Sequence, residues 1–251
     1  MFKHILLVAS CALSLSAVAA EQVWDFDDGT LSGTNYGNTL DLDGLSVQGW
    51  SDTGTRREDE TLANTRLSYS DYWGLMSKNQ DERSGSPSHA IDSFGNDHDM
   101  VLLSFDQSVN LSGFTLGWAY EDYGYSSSSS ADVSVLAYSG SDTPVLYGQT
   151  WDDLAGLGWT TEAEVADADE FAYQAIDSSA SSKYWLIGAY NPIFGSLGWS
   201  DNNDAFKLAG AKATPGEDPL QPATSVPEPG TVMLLAMGLF GLALRKNKRQ
   251  A

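Results

Sequence analysis

The sequence predicts an all-β domain, an antiparallel β-sandwich, held between a cleavable N-terminal signal and a single C-terminal apolar helix. Three observations carry this expectation. Runs rich in β-branched and aromatic residues recur through the middle of the chain, at Met100–Phe105, Phe114–Tyr120, Val133–Tyr138 and Tyr184–Ala189. Clusters of Gly, Ser, Asp and Asn separate them, as in antiparallel sheets joined by turns. The two ends of the chain differ sharply from this pattern, each carrying an apolar run beside basic residues.

Residues 1–20 read as a signal peptide. Lys3 supplies the positive start, Ile5–Leu15 the apolar run and Val18-Ala19-Ala20 a small-residue exit. This order implies the Sec export route and cleavage by signal peptidase. Val8-Ala9-Ser10-Cys11 has lipobox character, but too few apolar residues precede it and the apolar run continues past it. Cys11 is the only cysteine, so the exported chain has no thiol and no disulfide, and its core must hold it together.

Residues 21–213 form the expected sandwich domain. Val23-Trp24-Asp25-Phe26 alternates like a strand with one buried face, and Asp27-Asp28-Gly29 turns it. Leu40–Trp50 reads as two short strands around a Gly turn. Arg56–Glu60 and Tyr69–Arg83 are polar and loop-like. Met100–Phe105 and Phe114–Tyr120 are strands separated by turn-prone Asp106–Asn110, and Val133–Tyr138 follows the serine-rich loop 121–131. Leu146–Gly156 suggests a strand or turn and then a short helical piece. Glu162–Gln174 suits either a helix or an acidic strand. Tyr184–Ala189 and Ala205–Ala209 complete the strands. Residues 214–225, with Pro215, Pro219 and Pro222, are a flexible linker.

Charge narrows the function. Residues 21–225 hold eight Lys and Arg against 33 Asp and Glu, so nucleic acid, which demands a basic footprint, is not an expected partner. The acids offer oxygen ligands to hard cations. Asp25, Asp27 and Asp28 beside the first strand, with Asp201 and Asp204 before the last, are the candidate ligands of a structural Ca²⁺. The other reading of these residues is turn and capping Asp. The set resembles jelly-roll carbohydrate-binding modules, in which a Ca²⁺ clips the terminal strands; that resemblance makes the expected sandwich jelly-roll-like. Among eight tryptophans, Trp24, Trp118 and Trp185 fall inside strand patterns and are expected in the core. Trp73, Trp151 and Trp199 fall in loop-like contexts and are the candidate exposed aromatics for stacking on sugar. His89, near Ser88 and Asp92, could join a hydrolase triad on paper, but no Gly-x-Ser-x-Gly elbow accompanies it, and no catalytic residue is assigned.

The last 26 residues, 226–251, have three parts in order: Val226-Pro227-Glu228-Pro229, the uncharged run Thr231–Leu244, and the basic stop Arg245, Lys246, Lys248 and Arg249. The prolines keep the motif extended and open to an enzyme. The run forms its own backbone bonds in lipid as a helix. At about 1.5 Å per residue it spans roughly 21 Å, short of the roughly 30 Å hydrocarbon core, which suits a transient signal better than a permanent span. The basic residues hold the end on the cytoplasmic side.

Taken together, these parts resemble the PEP-CTERM sorting signal of Gram-negative bacteria. The resemblance implies recognition by exosortase, a transient inner-membrane anchor, and transfer to the cell surface or extracellular matrix. A simple tail anchor is the alternative. The stretches Ser86–Phe105, Val133–Tyr138 and Tyr184–Leu208 also resemble a subfamily of exosortase-dependent surface proteins. The expected role is therefore structural or adhesive within an exopolysaccharide biofilm or floc. The alternatives are a carbohydrate-binding module using Trp and Asp, and a secreted hydrolase.

Overall fold

The fold was analysed in a computed structural model, which describes residues 20–26, 37–52, 61–70, 73–79, 89–195 and 201–216. The signal, the linker beyond residue 216 and the C-terminal segment lie outside the described residues. So do Asp27, Asp28, Arg56–Glu60, Ser88 and Trp199.

Among the described residues, fourteen strands follow one another: β1 (Gln22–Asp25), β2 (Thr39–Leu42), β3 (Leu45–Asp52), β4 (Leu62–Asn64), β5 (Arg66–Ser70), β6 (Gly74–Lys78), β7 (Ile91–Asp92), β8 (Asp99–Asp122), β9 (Ser127–Ser128), β10 (Ser130–Tyr138), β11 (Trp159–Asp169), β12 (Tyr173–Ala175), β13 (Ser182–Ala189) and β14 (Asp204–Pro215). One short helix, α1 (Asp153–Gly156), precedes β11. Where the sequence predicts two sheets, hydrogen bonding joins the strands into a single antiparallel sheet, whose longest path runs β11-β10-β13-β8-β14-β6-β5.

The joint is β8. Its first part pairs with β3 on one side, as in Val47↔Leu103, and with β13 on the other, as in Ile187↔Val101. Its second part pairs with β14 from Glu121↔Asp204 to Val109↔Pro215. Between them, Ser182 pairs with Val109 while Tyr184 pairs with Ser104, so residues 105–108 bulge out of register. A bulge bends and further twists a strand. The polar stretch Asp106–Asn110 thus bends one long strand, where the sequence suggests a turn between two.

Alternation in this half sheet feeds two apolar clusters. Val101, Leu103, Val133, Val135, Trp185 and Ile187 point into the main core with Phe114, Leu116, Phe206 and Leu208 from the other half. Met100, Leu102, Leu136 and Leu186 point the opposite way, into a second cluster covered by Leu146, Trp151 and Leu154. Both faces of β8, β10 and β13 are therefore apolar, and their runs read as continuous hydrophobic strings.

Several elements differ from expectation for local reasons. Arg66–Lys78 is a hairpin, β5 paired with β6, whose serines conceal the alternation of buried Leu67 and Tyr69. Glu162–Gln174 resolves as the end of β11 and all but the last residue of β12, with β11 pairing only through β10. Acidic residues on such a strand discourage pairing with another chain. β14 continues to Pro215, two residues beyond the expected domain edge at 213; a proline is tolerated at a strand end. The hairpin of β2 and β3, by contrast, follows the expectation and turns through Asp43-Gly44, where Gly44 takes φ +72°.

Trp151 departs most from its expected place. It is 2% exposed, at the centre of the second cluster, with its ring edge-on to Phe194 at 6.0 Å. A loop residue reads as exposed in sequence, but this loop folds back as a lid over an apolar sheet face. Trp118, expected in the core, is half-buried on the outer face, stacked on Tyr120 at 6.1 Å with Lys207 5.1 Å above its ring. Trp24 and Trp185 are buried as core residues.

Trp151→Ala should destabilise the domain by about 3–5 kcal/mol, the range for emptying a core aromatic site. Trp73→Ala should cost clearly less. Chemical denaturation of the two variants tests the difference, and equal losses would contradict the placement of Trp151.

Candidate functional site

Three places hold side chains with functional chemistry. The first is an exposed aromatic strip beside the β8–β14 pair. Trp73, between β5 and β6, is 37% exposed, and its ring lies 5.8 Å from Phe171, which is 60% exposed. Gly117 on β8 makes this possible, because a Cβ there would collide with the Trp73 backbone. Phe171 takes the left-handed conformation at φ +60° and donates its N–H to Leu116 O at 2.6 Å, which fixes its ring beside Trp73. Tyr173, 41% exposed, follows two residues on, with Lys212 Nζ 4.5 Å from its ring centre. Lys212 also lines a shallow groove of about 210 Å³ with Trp24, Asp25 and Thr115. That volume is below the roughly 300–1,000 Å³ of enclosed ligand pockets, so this face suits stacking on an extended ligand better than engulfing a small one.

The sequence singles out only Trp73 here. Trp151 is buried away from the strip, and Trp199 lies outside the described residues. Phe171 and Tyr173 carry no signal beyond being aromatic within an acidic stretch.

The second place is a buried imidazole. His98 donates its backbone N–H to Asp52 Oδ1 at 2.5 Å, and its Nε2 lies 3.1 Å from Asp201 Oδ1. Its Nδ1 stands 3.8 Å from Asp52 Oδ2. Burial alone would lower the imidazole pKa, but the hydrogen bonds and charges of Asp201 and Asp52 outweigh it and raise it to about 9. Asp201 is held below the usual carboxylate range: burial pulls it upward, while His98 and the Asn202 N–H pull it down more strongly. At neutral pH the ring is an imidazolium between two carboxylates. It cannot act as a general base, which needs a free lone pair near neutrality. Its sequence neighbours Asp97 and Asp99 are not the residues that hold its ring; its partners come from 46 residues upstream and 103 downstream.

The third place concerns the candidate metal ligands. Asp25 pairs with Gly210 on β14, whereas Asp204 begins that strand opposite Glu121. Six positions of extended chain separate Gly210 from Asp204, roughly 20 Å, so Asp25 and Asp204 cannot share one ion. Asp201 is engaged by His98. Asp204 is instead fully buried at the end of β8 and β10, accepting the Asp132 N–H on Oδ1 at 2.7 Å. Of the paper triad, Asp92 accepts the Phe94 N–H at 3.0 Å, and His89 holds a turn at φ +58°.

With the geometry described, comparison with known proteins adds one result. Residues 225–249 match the family described as the PEP-CTERM protein-sorting motif. The chain therefore carries the signature of a sorted, secreted protein, with a C-terminal membrane-anchored sorting signal, and the motif implies processing by exosortase and export to the cell surface. No curated protein and no solved structure matches the chain.

The His98 contribution to stability has a definite pH window. Its folded pKa lies above the unfolded value near 6.5, so the stabilisation is complete below about 6.5 and is lost as pH rises through about 9. It amounts to about 2–3 kcal/mol after allowing for solvent at half-exposed Asp201. The Tm difference between wild type and His98→Gln should be largest near pH 6 and shrink toward pH 9.5. A constant difference would show that His98 does not fold in charged form.

Proposed function

We propose that this protein is a structural or adhesive component of the exopolysaccharide matrix, placed at the surface of a Gram-negative cell by exosortase. The match of residues 225–249 to the sorting motif carries this reading. In it, the N-terminal segment directs Sec export and is removed by signal peptidase. The apolar run 231–244 and the basic residues Arg245, Lys246, Lys248 and Arg249 hold the tail in the inner membrane until the enzyme acts near Val226–Pro229. The acidic domain, without a cysteine, is suited to an exposed, hydrated setting, where its charge keeps copies apart.

A second reading is favoured by a specific observation. Trp73 and Phe171 hold exposed rings 5.8 Å apart, and exposed Tyr173 follows two residues on with the Lys212 cation 4.5 Å from its ring centre. Such rings stack on the C–H surfaces of sugars, so the strip is the candidate means by which the domain grips a polysaccharide chain.

Two experiments test these readings. Intact mass of the protein from its native host should show a surface form ending near Pro227–Pro229, absent when exosortase is deleted. A full-length, membrane-held form in both strains would reduce the tail to a plain anchor. On affinity gels cast with the host exopolysaccharide, wild type should be retarded, and Trp73→Ala or Phe171→Ala should lose most of the retardation while melting near the wild-type temperature. Unchanged mobility of the variants would remove the strip from the proposal.

A further inference from the structure

Where β8, β10 and β11 come together, the chain gathers carboxylates that no base among the described residues neutralises. Glu121 is the second-last residue of β8, Asp132 the third of β10, and Asp167 sits near the end of β11. One oxygen from each lies within 4.8 Å of the others. Glu121 and Asp132 are buried, and Asp167 opens to solvent. The arrangement is built by the backbone. Asp132 Oδ1 accepts the Asp167 N–H at 2.8 Å, and Asp167 takes φ +49°, the left-handed region. Glu121 Oε2 accepts the hydroxyl of Tyr123 at 2.6 Å, and its Oε1 accepts Asn203 Nδ2 at 3.3 Å.

A second, independent observation points into the same place. Asp204, 0% exposed, spends Oδ1 on the Asp132 N–H, while its Oδ2 has no hydrogen-bond partner. Asn203 is buried with its amide nitrogen on Glu121, and its amide oxygen is likewise without a donor. Two buried oxygens without partners thus belong to the residues that hydrogen-bond the Asp132 backbone and the Glu121 carboxylate. A buried acceptor without a donor costs about 1–3 kcal/mol. No ion pair involves any of the four acids among the described residues.

We infer that Glu121, Asp132 and Asp167 form a divalent-cation site, most suited to Ca²⁺, with Asp204 and Asn203 supplying the buried oxygens behind it. The chemistry fits a hard cation. Every donor is oxygen, and Ca²⁺ binds six to eight oxygens at about 2.3–2.6 Å, so ligands on opposite sides of the ion stand about 4.6–5.2 Å apart. The separations here fall within that shell. Exposed Asp167 provides the entry path, and water completes the coordination. The ion would tie β8 and β14 to the β10–β11 hairpin, which the sheet path otherwise links only through β13. The site shares Asp204 with the set containing Asp25 and differs from it in every other ligand, and it does not depend on how the tail is processed.

The test uses protein purified from its native host and stripped with EDTA. Calorimetric titration with CaCl₂ should give one Ca²⁺ per chain and a higher Tm in its presence. Asp167→Asn, at an exposed position, should weaken binding at least tenfold and abolish the Tm rise with an unchanged circular dichroism spectrum. Glu121→Gln should do the same if it folds. Asp106→Asn, an exposed acid at the bend of β8, should bind as wild type. Absence of stoichiometric binding, or equal binding by Asp167→Asn and Asp106→Asn, would overturn the site and leave only diffuse attraction to an acidic surface.

Discussion

The pairing of β8 along both of its halves is the constraint on which the rest depends. One strand of 24 residues contributes a rung to nearly every part of the sheet. Its bulge at residues 105–108 turns the second half so that Phe114 and Leu116 share a core with Val101 and Leu103. With one cysteine in the sequence no disulfide can form within the chain, so that shared core and the ladders of β8 hold the two halves together. The acid cluster at the strand's end and the aromatic strip near its middle are both positioned by it. From Leu116 beside Phe171 to Glu121 is about 16 Å of extended chain.

Much of the strand content could be read from the sequence, because β-branched and aromatic runs such as Met100–Phe105 and Tyr184–Ala189 have few other stable destinations. The Asp43-Gly44 hairpin could be read for the same reason: a glycine takes its left-handed turn at little cost. What could not be read depended on partners distant in the chain. Asp106–Asn110 has the composition of a turn, and only the register imposed by β13 and β14 makes it a bend within one strand. Trp151 looks like a loop residue until the apolar outer face of β8, β10 and β13 is known to need covering.

The same limit governed the sites. The acidic composition points to hard-cation chemistry and to Asp204, but not to the residues around it. Glu121, Asp132 and Asp167 are strand-end acids in three separate stretches, brought together by pairing alone. Asp25 stands beside Asp204 in the sequence reading because both flank terminal strands. Antiparallel pairing of β1 with the far part of β14 then separates them. His98 shows the converse: two acids adjacent in sequence do not hold its ring, and two remote ones do.

β14 is embedded on both of its edges. β8 pairs along one side of it, and β7, β6 and β1 succeed one another along the other. The chain leaves the domain from the end of this strand. A mechanical load transmitted along the chain from beyond Pro215 therefore meets a strand that cannot be peeled from a free edge one rung at a time. Its hydrogen bonds on both flanks must yield together.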